Sequence, residues 1–253
     1  MSNQTDSWPK SLWLVRHGES AGNVARDSAE REGRHEIAIS GRDIDVPLSE
    51  LGERQARAFG AWLAAPGRAP TVVLSSPFAR ARQTAELIAE ASGLARQNLH
   101  TVLDERLREK EFGSLNRFTK LGITAKFPHE AARYAEVGKF YYRPPGGESW
   151  CDVILRLRSV LHHLQLRYAG ERILIVAHQV IVLCFRYLLE ELSEDAILAI
   201  DRERDVANCS LTSFELGIGS DGRSKLLLQG YNVITPIAEA GEVVTTKPDG
   251  GVG

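Results

Sequence analysis

Three short apolar runs, "LWLV" at 12–15, "TVVL" at 71–74 and "ILIV" at 173–176, are continuous rather than alternating. That pattern predicts strands covered on both faces, as in a parallel sheet. Between them the apolar positions change to helical spacing. Leu51, Phe59 and Leu63 recur with Ser49 as N-cap. Ser76 and Pro77 predict a second helix by standing at N-cap and N1, and Gly93 predicts its end. From Ser149 a third stripe runs through Trp150, Val153, Ile154, Leu157, Leu161 and Leu164 and stops before Gly170. "CSLTSFEL" and "SKLLLQGY" read as a late pair of strands. The "GIGSDG" between them reads as a hairpin loop, since no helical pattern follows it. This alternation predicts an α/β fold, a three-layer α/β/α sandwich with a mostly parallel central sheet. One domain over 1–235 accounts for the pattern, and the aperiodic stretch 236–253 reads as a mobile tail.

Composition narrows the function classes. A net charge of −2 argues against broad electrostatic capture of nucleic acid or an anionic membrane. The first ten residues, "MSNQTDSWPK", lack the apolar core of a signal peptide, and no apolar run reaches membrane-spanning length, so the cytoplasm is the expected location. Cys151, Cys184 and Cys209 form no C-x-x-C pair and are expected to serve as small hydrophobes. His162 and His163 are adjacent, which points them in different directions and speaks against a helical metal site. No metal ligands and no resident cofactor are expected.

Candidate chemistry gathers where open α/β sheets bind their ligands, beyond the carboxyl ends of the strands. The first run delivers Arg16 and His17, the second "SSPFAR" with Arg80, and the third "AHQ" with His178. Arg80 falls in the first turn of its helix, where free backbone N–H groups favour an anion. Two guanidiniums and two imidazoles at one crevice predict a phosphate site. A carboxyl group to serve as proton donor has four candidates in "DERLREKE": Asp104, Glu105, Glu109 and Glu111.

"LVRHGESAGN", "SSPFARARQTA", "LREKEFGSL", "GGES" and "VAHQ", in this order, resemble the histidine phosphatase superfamily in its phosphoglycerate-mutase-like branch. The resemblance covers roughly residues 12 to 215. It implies that His17 is the nucleophile that becomes phosphorylated. Arg16, Arg80 and His178 would form the phosphate pocket, with Asn23 as a further contact. The "L-x-E" register followed by "FG" makes Glu109 the implied proton donor. The physics suits those roles. An imidazole attacks phosphorus only when its attacking nitrogen is unprotonated, and neighbouring cations favour that form. The same cations stabilise charge on the transferring phosphoryl oxygens, and a carboxyl group can protonate the leaving oxygen and then activate water.

The implied activity is metal-independent hydrolysis of phosphate monoesters, on a small phosphorylated metabolite or phosphosugar. A phosphoglycerate or sugar-phosphate mutase is the enzymatic alternative, and a non-catalytic phosphate-binding scaffold the alternative of another class. Gly147 comes only 38 positions after Glu109, where cofactor-dependent mutases carry a longer insertion. "KFYYRPPGGESWCDVILRL" and "AHQVIVLCFRYLLEEL" further resemble the fructose-2,6-bisphosphatase module. That likeness implies substrate contacts from Arg143 and Gln179, with Tyr142 nearby. The module has an arginine four positions after the glutamine; here it is Leu183, expected as an apolar wall of the crevice. The polar "RDSAEREGRHE", within 24–45, could form a flap or helix over the site.

Overall fold

Side chains of successive strand residues point to opposite faces of a sheet, and the continuous apolar runs here serve two cores at once. In the computed structural model, which describes residues 7–97 and 99–246, Leu12 and Leu14 join one buried cluster while Val15 joins another. Ile173 and Ile175 likewise face the first cluster, and Leu174 and Val176 the second.

The described elements run in order. Strand β1 (Ser11–Arg16) is followed by helices α1 (Ala21–Arg31) and α2 (Glu50–Leu63), then β2 (Val72–Ser75), α3 (Ala79–Ser92) and the short β3 (Thr101–Leu103). Helices α4 (Lys120–Lys126), α5 (Pro128–Tyr141) and α6 (Trp150–Arg167) precede β4 (Arg172–Ala177). Helices α7 (Gln179–Leu189) and α8 (Glu194–Glu203), strands β5 (Leu211–Ile218) and β6 (Ser224–Val233), and the single turn α9 (Thr235–Ala238) complete the chain. The strands form one six-stranded sheet of order β3-β2-β4-β1-β5-β6. The first four are mutually parallel, and β5 and β6 are antiparallel to their neighbours. Helices α2 and α3 cover one face and α6 and α7 the other, giving the α/β/α layering the sequence predicts.

Helix boundaries follow local chemistry. Ser49 Oγ accepts from Gly52 N–H and caps α2, and Ser149 with Asp152 forms a capping box on α6. Gly93 closes α3 in the left-handed conformation, φ 78°. The start of α3 differs from expectation. Ser76 keeps strand register, its N–H donating to Val176 O at 3.0 Å, so Phe78 is the N-cap and Arg80 the second helical residue. The "GIGSDG" stretch is a hairpin loop, closed by Gly219 N–H donating to Arg223 O at 2.8 Å.

Two expectations are corrected by packing. The stretch from Pro236 is not a loose tail as far as it is described, through Thr246. Pro236 and Ile237 are buried, and Gln55 on α2 donates to Val243 O at 2.8 Å. Thr245 donates to Asn208 at 2.9 Å, so two buried amides find their partners in this segment. Residues 247–253 lie outside the described residues. Leu183 is the second correction. It is 1 % exposed within the core that α6 and α7 build on the sheet, rather than walling the crevice. Helix α7 is apolar nearly all round because α6, α8, β1 and β6 surround it. Leu183→Arg is accordingly expected to cost roughly 3 kcal/mol of stability, read by chemical denaturation. An unchanged unfolding midpoint would return this side chain to the crevice.

Candidate active site

Parallel pairing of β1 with β4 sets Arg16 opposite Ala177, so the next residues, His17 and His178, leave the sheet side by side. Their rings lie 5.1 Å apart, centroid to centroid, and both are fully buried. His17 Nδ1 is 2.7 Å from the carbonyl oxygen of Gly18. A carbonyl can only accept, so Nδ1 carries the hydrogen and the neutral ring has its lone pair on Nε2.

The backbone here is held from several sides. His17 N–H donates to Ala177 O at 2.9 Å, and Asn208 Nδ2 donates to His17 O at 3.0 Å. Gly18 N–H donates to Thr84 Oγ1 at 3.0 Å, and that hydroxyl donates to Arg80 O at 2.7 Å. The glycine is required by close approach, since a Cβ at position 18 would stand 2.4 Å from the carbonyl oxygen of Gly52. Glu19 N–H donates to Gln55 at 2.9 Å, which links the loop to α2.

Strand β2 contributes through its continuation. His178 Nε2 and Ser76 Oγ share a hydrogen bond of 2.8 Å. Phe78 packs edge-on against His178 at 5.2 Å, and the Arg80 guanidinium lies 4.8 Å over the Phe78 ring. Arg80 is 3 % exposed and lines a cleft together with Asn23. Asn23 is fixed by the cap of α1, its side-chain oxygen accepting from Ser20 N–H at 3.0 Å. Arg16 is fully buried and donates to Val206 O. These contacts bring His17, His178, Arg80 and Asn23 into one region, and Arg16 precedes His17 at the end of β1.

Glu109 follows β3, whose neighbour in the sheet is β2, and so arises at the same end of the sheet. It is 2 % exposed, and its Oε1 accepts from Lys110 N–H at 2.7 Å. Glu111 is exposed and serves the backbone instead, its carbonyl accepting from Glu148 N–H at 2.8 Å. Arg156 on α6 steadies this loop through Glu148 at 3.0 Å and the Glu109 carbonyl at 3.3 Å.

The residues expected to contact the substrate body are engaged elsewhere. Arg143 is 62 % exposed and paired with Asp152, the N3 residue of α6. Tyr142 is 1 % exposed and donates to Glu130 at 2.7 Å, and burial with that carboxylate pushes its phenol up. Gln179 opens α7 next to His178 and donates to Asp205 at 2.7 Å.

Sequence reasoning missed Asp43, which accepts from Arg80 at 3.0 Å through its carbonyl and at 3.2 Å and 3.4 Å through its carboxylate. It also missed Thr84 and Asn208, which bear on the His17 loop from positions far along the chain. Burial pushes the Cys184 and Cys209 thiols up, consistent with inert core positions. Among the described residues no cluster of His, Cys, Asp and Glu could hold a metal ion, and no helix is long and apolar enough to cross a membrane.

Comparison with known proteins identifies the family and agrees with the fold. A 2,3-bisphosphoglycerate-dependent phosphoglycerate mutase of Azorhizobium caulinodans is 32% identical over 208 residues, covering 81% of this chain and 92% of the relative. A probable phosphoglycerate mutase of Photorhabdus laumondii is 31% identical over 201 residues, covering 79% and 82%. Among solved structures, a mycobacterial glucosyl-3-phosphoglycerate phosphatase complexed with VO3 superposes with a TM-score of 0.66 at 25% identity, covering 88% of this chain and 99% of that one. The putative alpha-ribazole-5'-P phosphatase of Escherichia coli shares the fold, with a TM-score of 0.66 at 20% identity, over 89% and 98% of the two chains. Residues 12–227 match the model of the histidine phosphatase superfamily (branch 1), and the chain belongs to that superfamily.

Proposed function

We propose that this chain is a phosphomonoesterase that works through a phosphohistidine on His17. The observation that carries the reading is the 2.7 Å contact of His17 Nδ1 with the Gly18 carbonyl, beside His178 and the Arg80 region. With its hydrogen on Nδ1, the neutral ring attacks phosphorus through the Nε2 lone pair. The bond from phosphorus to the ester oxygen breaks as the N–P bond forms. Arg16, Arg80 and His178 stabilise the equatorial oxygens, the role a metal ion plays in many other phosphoryl transfers. Glu109 donates a proton to the leaving oxygen, then takes one from the water that cleaves the phosphohistidine. Substrates of this class are small phosphorylated metabolites, in keeping with relatives named for phosphoglycerate, glucosyl-3-phosphoglycerate and alpha-ribazole-5'-P.

Hydrolysis is favoured over mutase activity by the state of the expected second anchors. A mutase must hold a bisphosphorylated intermediate at both ends, and here Arg143 is paired with Asp152 and Tyr142 with Glu130. The deciding experiment compares two rates without and with added glycerate 2,3-bisphosphate: phosphate release from a panel of monoesters, and interconversion of 3- and 2-phosphoglycerate. Phosphate release independent of the bisphosphate is expected to dominate. Interconversion that outpaces release and depends on the bisphosphate would establish the mutase.

A further inference from the structure

Asp43 belongs to a stretch of chain that the catalytic scheme does not use. Ile37, Ile39 and Asp43 line the cleft, and the stretch they belong to is fastened to the loop after Glu109. Ile37 N–H donates to Arg117 O at 2.9 Å, Glu36 bridges to Phe118, and the Arg117 side chain donates to Gly41 O. The cleft shared by Arg80 and Asn23 is thereby lined by Ile37, Ile39, Asp43 and Arg117.

We propose that Asp43, together with Ile37 and Ile39, selects phosphomonoesters whose body is uncharged and partly apolar, and turns away those carrying a second anion. The inference rests on the phosphate-site reading above and extends it to substrate class. Three features support it. Arg80 is buried, and Asp43 lies against its guanidinium through both carboxylate oxygens, so a fixed negative charge stands at the rim of the phosphate site. Ile37 is 5 % exposed and Ile39 half-buried, which offers a substrate body apolar contact and no hydrogen-bond donor from either side chain. Arg117, which also lines the cleft, is tied by its side chain to the neutral Gly41 carbonyl rather than to a carboxylate. A second carboxylate or phosphate on the substrate would meet Asp43 at short range, and like charges so placed strongly disfavour binding.

Non-hydrolysable probes separate this from catalysis. Benzylphosphonate has an uncharged apolar body, whereas 3-phosphonopropionate carries a carboxylate. Calorimetric titration of the full chain is expected to give at least about tenfold tighter binding of benzylphosphonate. Both probes compete with Asp43 for Arg80, so Asp43→Asn tightens both; only the carboxylate probe is also relieved of repulsion. The preference is therefore expected to shrink by about fivefold or more in Asp43→Asn, while Ile39→Asn weakens benzylphosphonate alone. Equal or tighter binding of 3-phosphonopropionate by the unmodified chain would mean that Arg117 leaves Gly41 to take the carboxylate, and would overturn the proposal. An unchanged ratio in Asp43→Asn would overturn it as well. Because the readout is binding, a chain that shows the preference yet hydrolyses nothing would sink the phosphatase reading and leave this one standing. Failure of both probes to bind would remove the phosphate site itself.

Discussion

Replacing His17 with alanine is expected to lower phosphomonoester hydrolysis by about ten-thousandfold or more, because the proposed phosphoryl intermediate forms on this ring. The loss should appear in kcat, with inorganic phosphate still binding through Arg80 and its neighbours. Acid-quenched turnover of the unmodified chain should yield phosphate bound to nitrogen, labile in acid and stable in alkali, and the variant should yield none. The ring lies at a strand end whose backbone is held by Ala177, Asn208 and Cys209, so the variant should keep its fold and remain comparable. Residual hydrolysis within about tenfold of normal would assign the nucleophile elsewhere.

Lys110→Met is expected to stabilise the protein by about 3 kcal/mol at pH 7. Lys110 is 2 % exposed, and its ammonium sits 4.4 Å over the Phe112 ring. No hydrogen-bond acceptor among the described residues meets its Nζ. Burial is the leading cause that draws its pKa down from 10.5 to about 8, against the opposing pull of the neighbouring Glu109 carboxylate. Below about pH 8 the lysine is charged in both folded and unfolded chains, and burying the charge costs stability throughout. Between about 8 and 10.5 the unfolded chain holds a proton that the folded chain has released, so the unmodified protein gains stability as pH rises. The advantage of methionine should therefore fall across that window and vanish above it. Denaturant titrations at pH 7 and pH 10 check this, and a gap that stays constant between them would contradict the burial account. The same buried cation stands next to Glu109 in sequence, and methionine also removes its influence on that carboxylate.

What could be read directly from the chain was local in origin. Continuous apolar runs must be covered on both faces, and that requirement fixes β1, β2 and β4 as interior parallel strands with Arg16, His17, Ser76 and His178 at their carboxyl ends. Caps such as Ser49, Ser149 and Gly93 act within a single turn and were equally legible. The three-residue β3 and helices α4 and α5 were not, since β3 is too short to establish a period and its Val102 and Leu103 are about half exposed. Helix α7 shows the limit most clearly. "VIVLCF" is apolar at every phase, so periodicity cannot say which way Leu183 points, and only the surrounding layers turn it inward.

The choice of partners for charged groups was also beyond the linear pattern. Arg143 could have faced the crevice, but Asp152 is fixed by the cap of α6 within its reach. Arg80 and Asp43 are separated by 37 positions, and Thr245 and Asn208 by as many. Hydrophobic patterning determined the buried strands β1, β2 and β4 and where their reactive ends lie, because burial of a strand depends on its own side chains. Which carboxylate reaches which guanidinium depends on where two independent loops arrive in space, and the tertiary structure alone decides that.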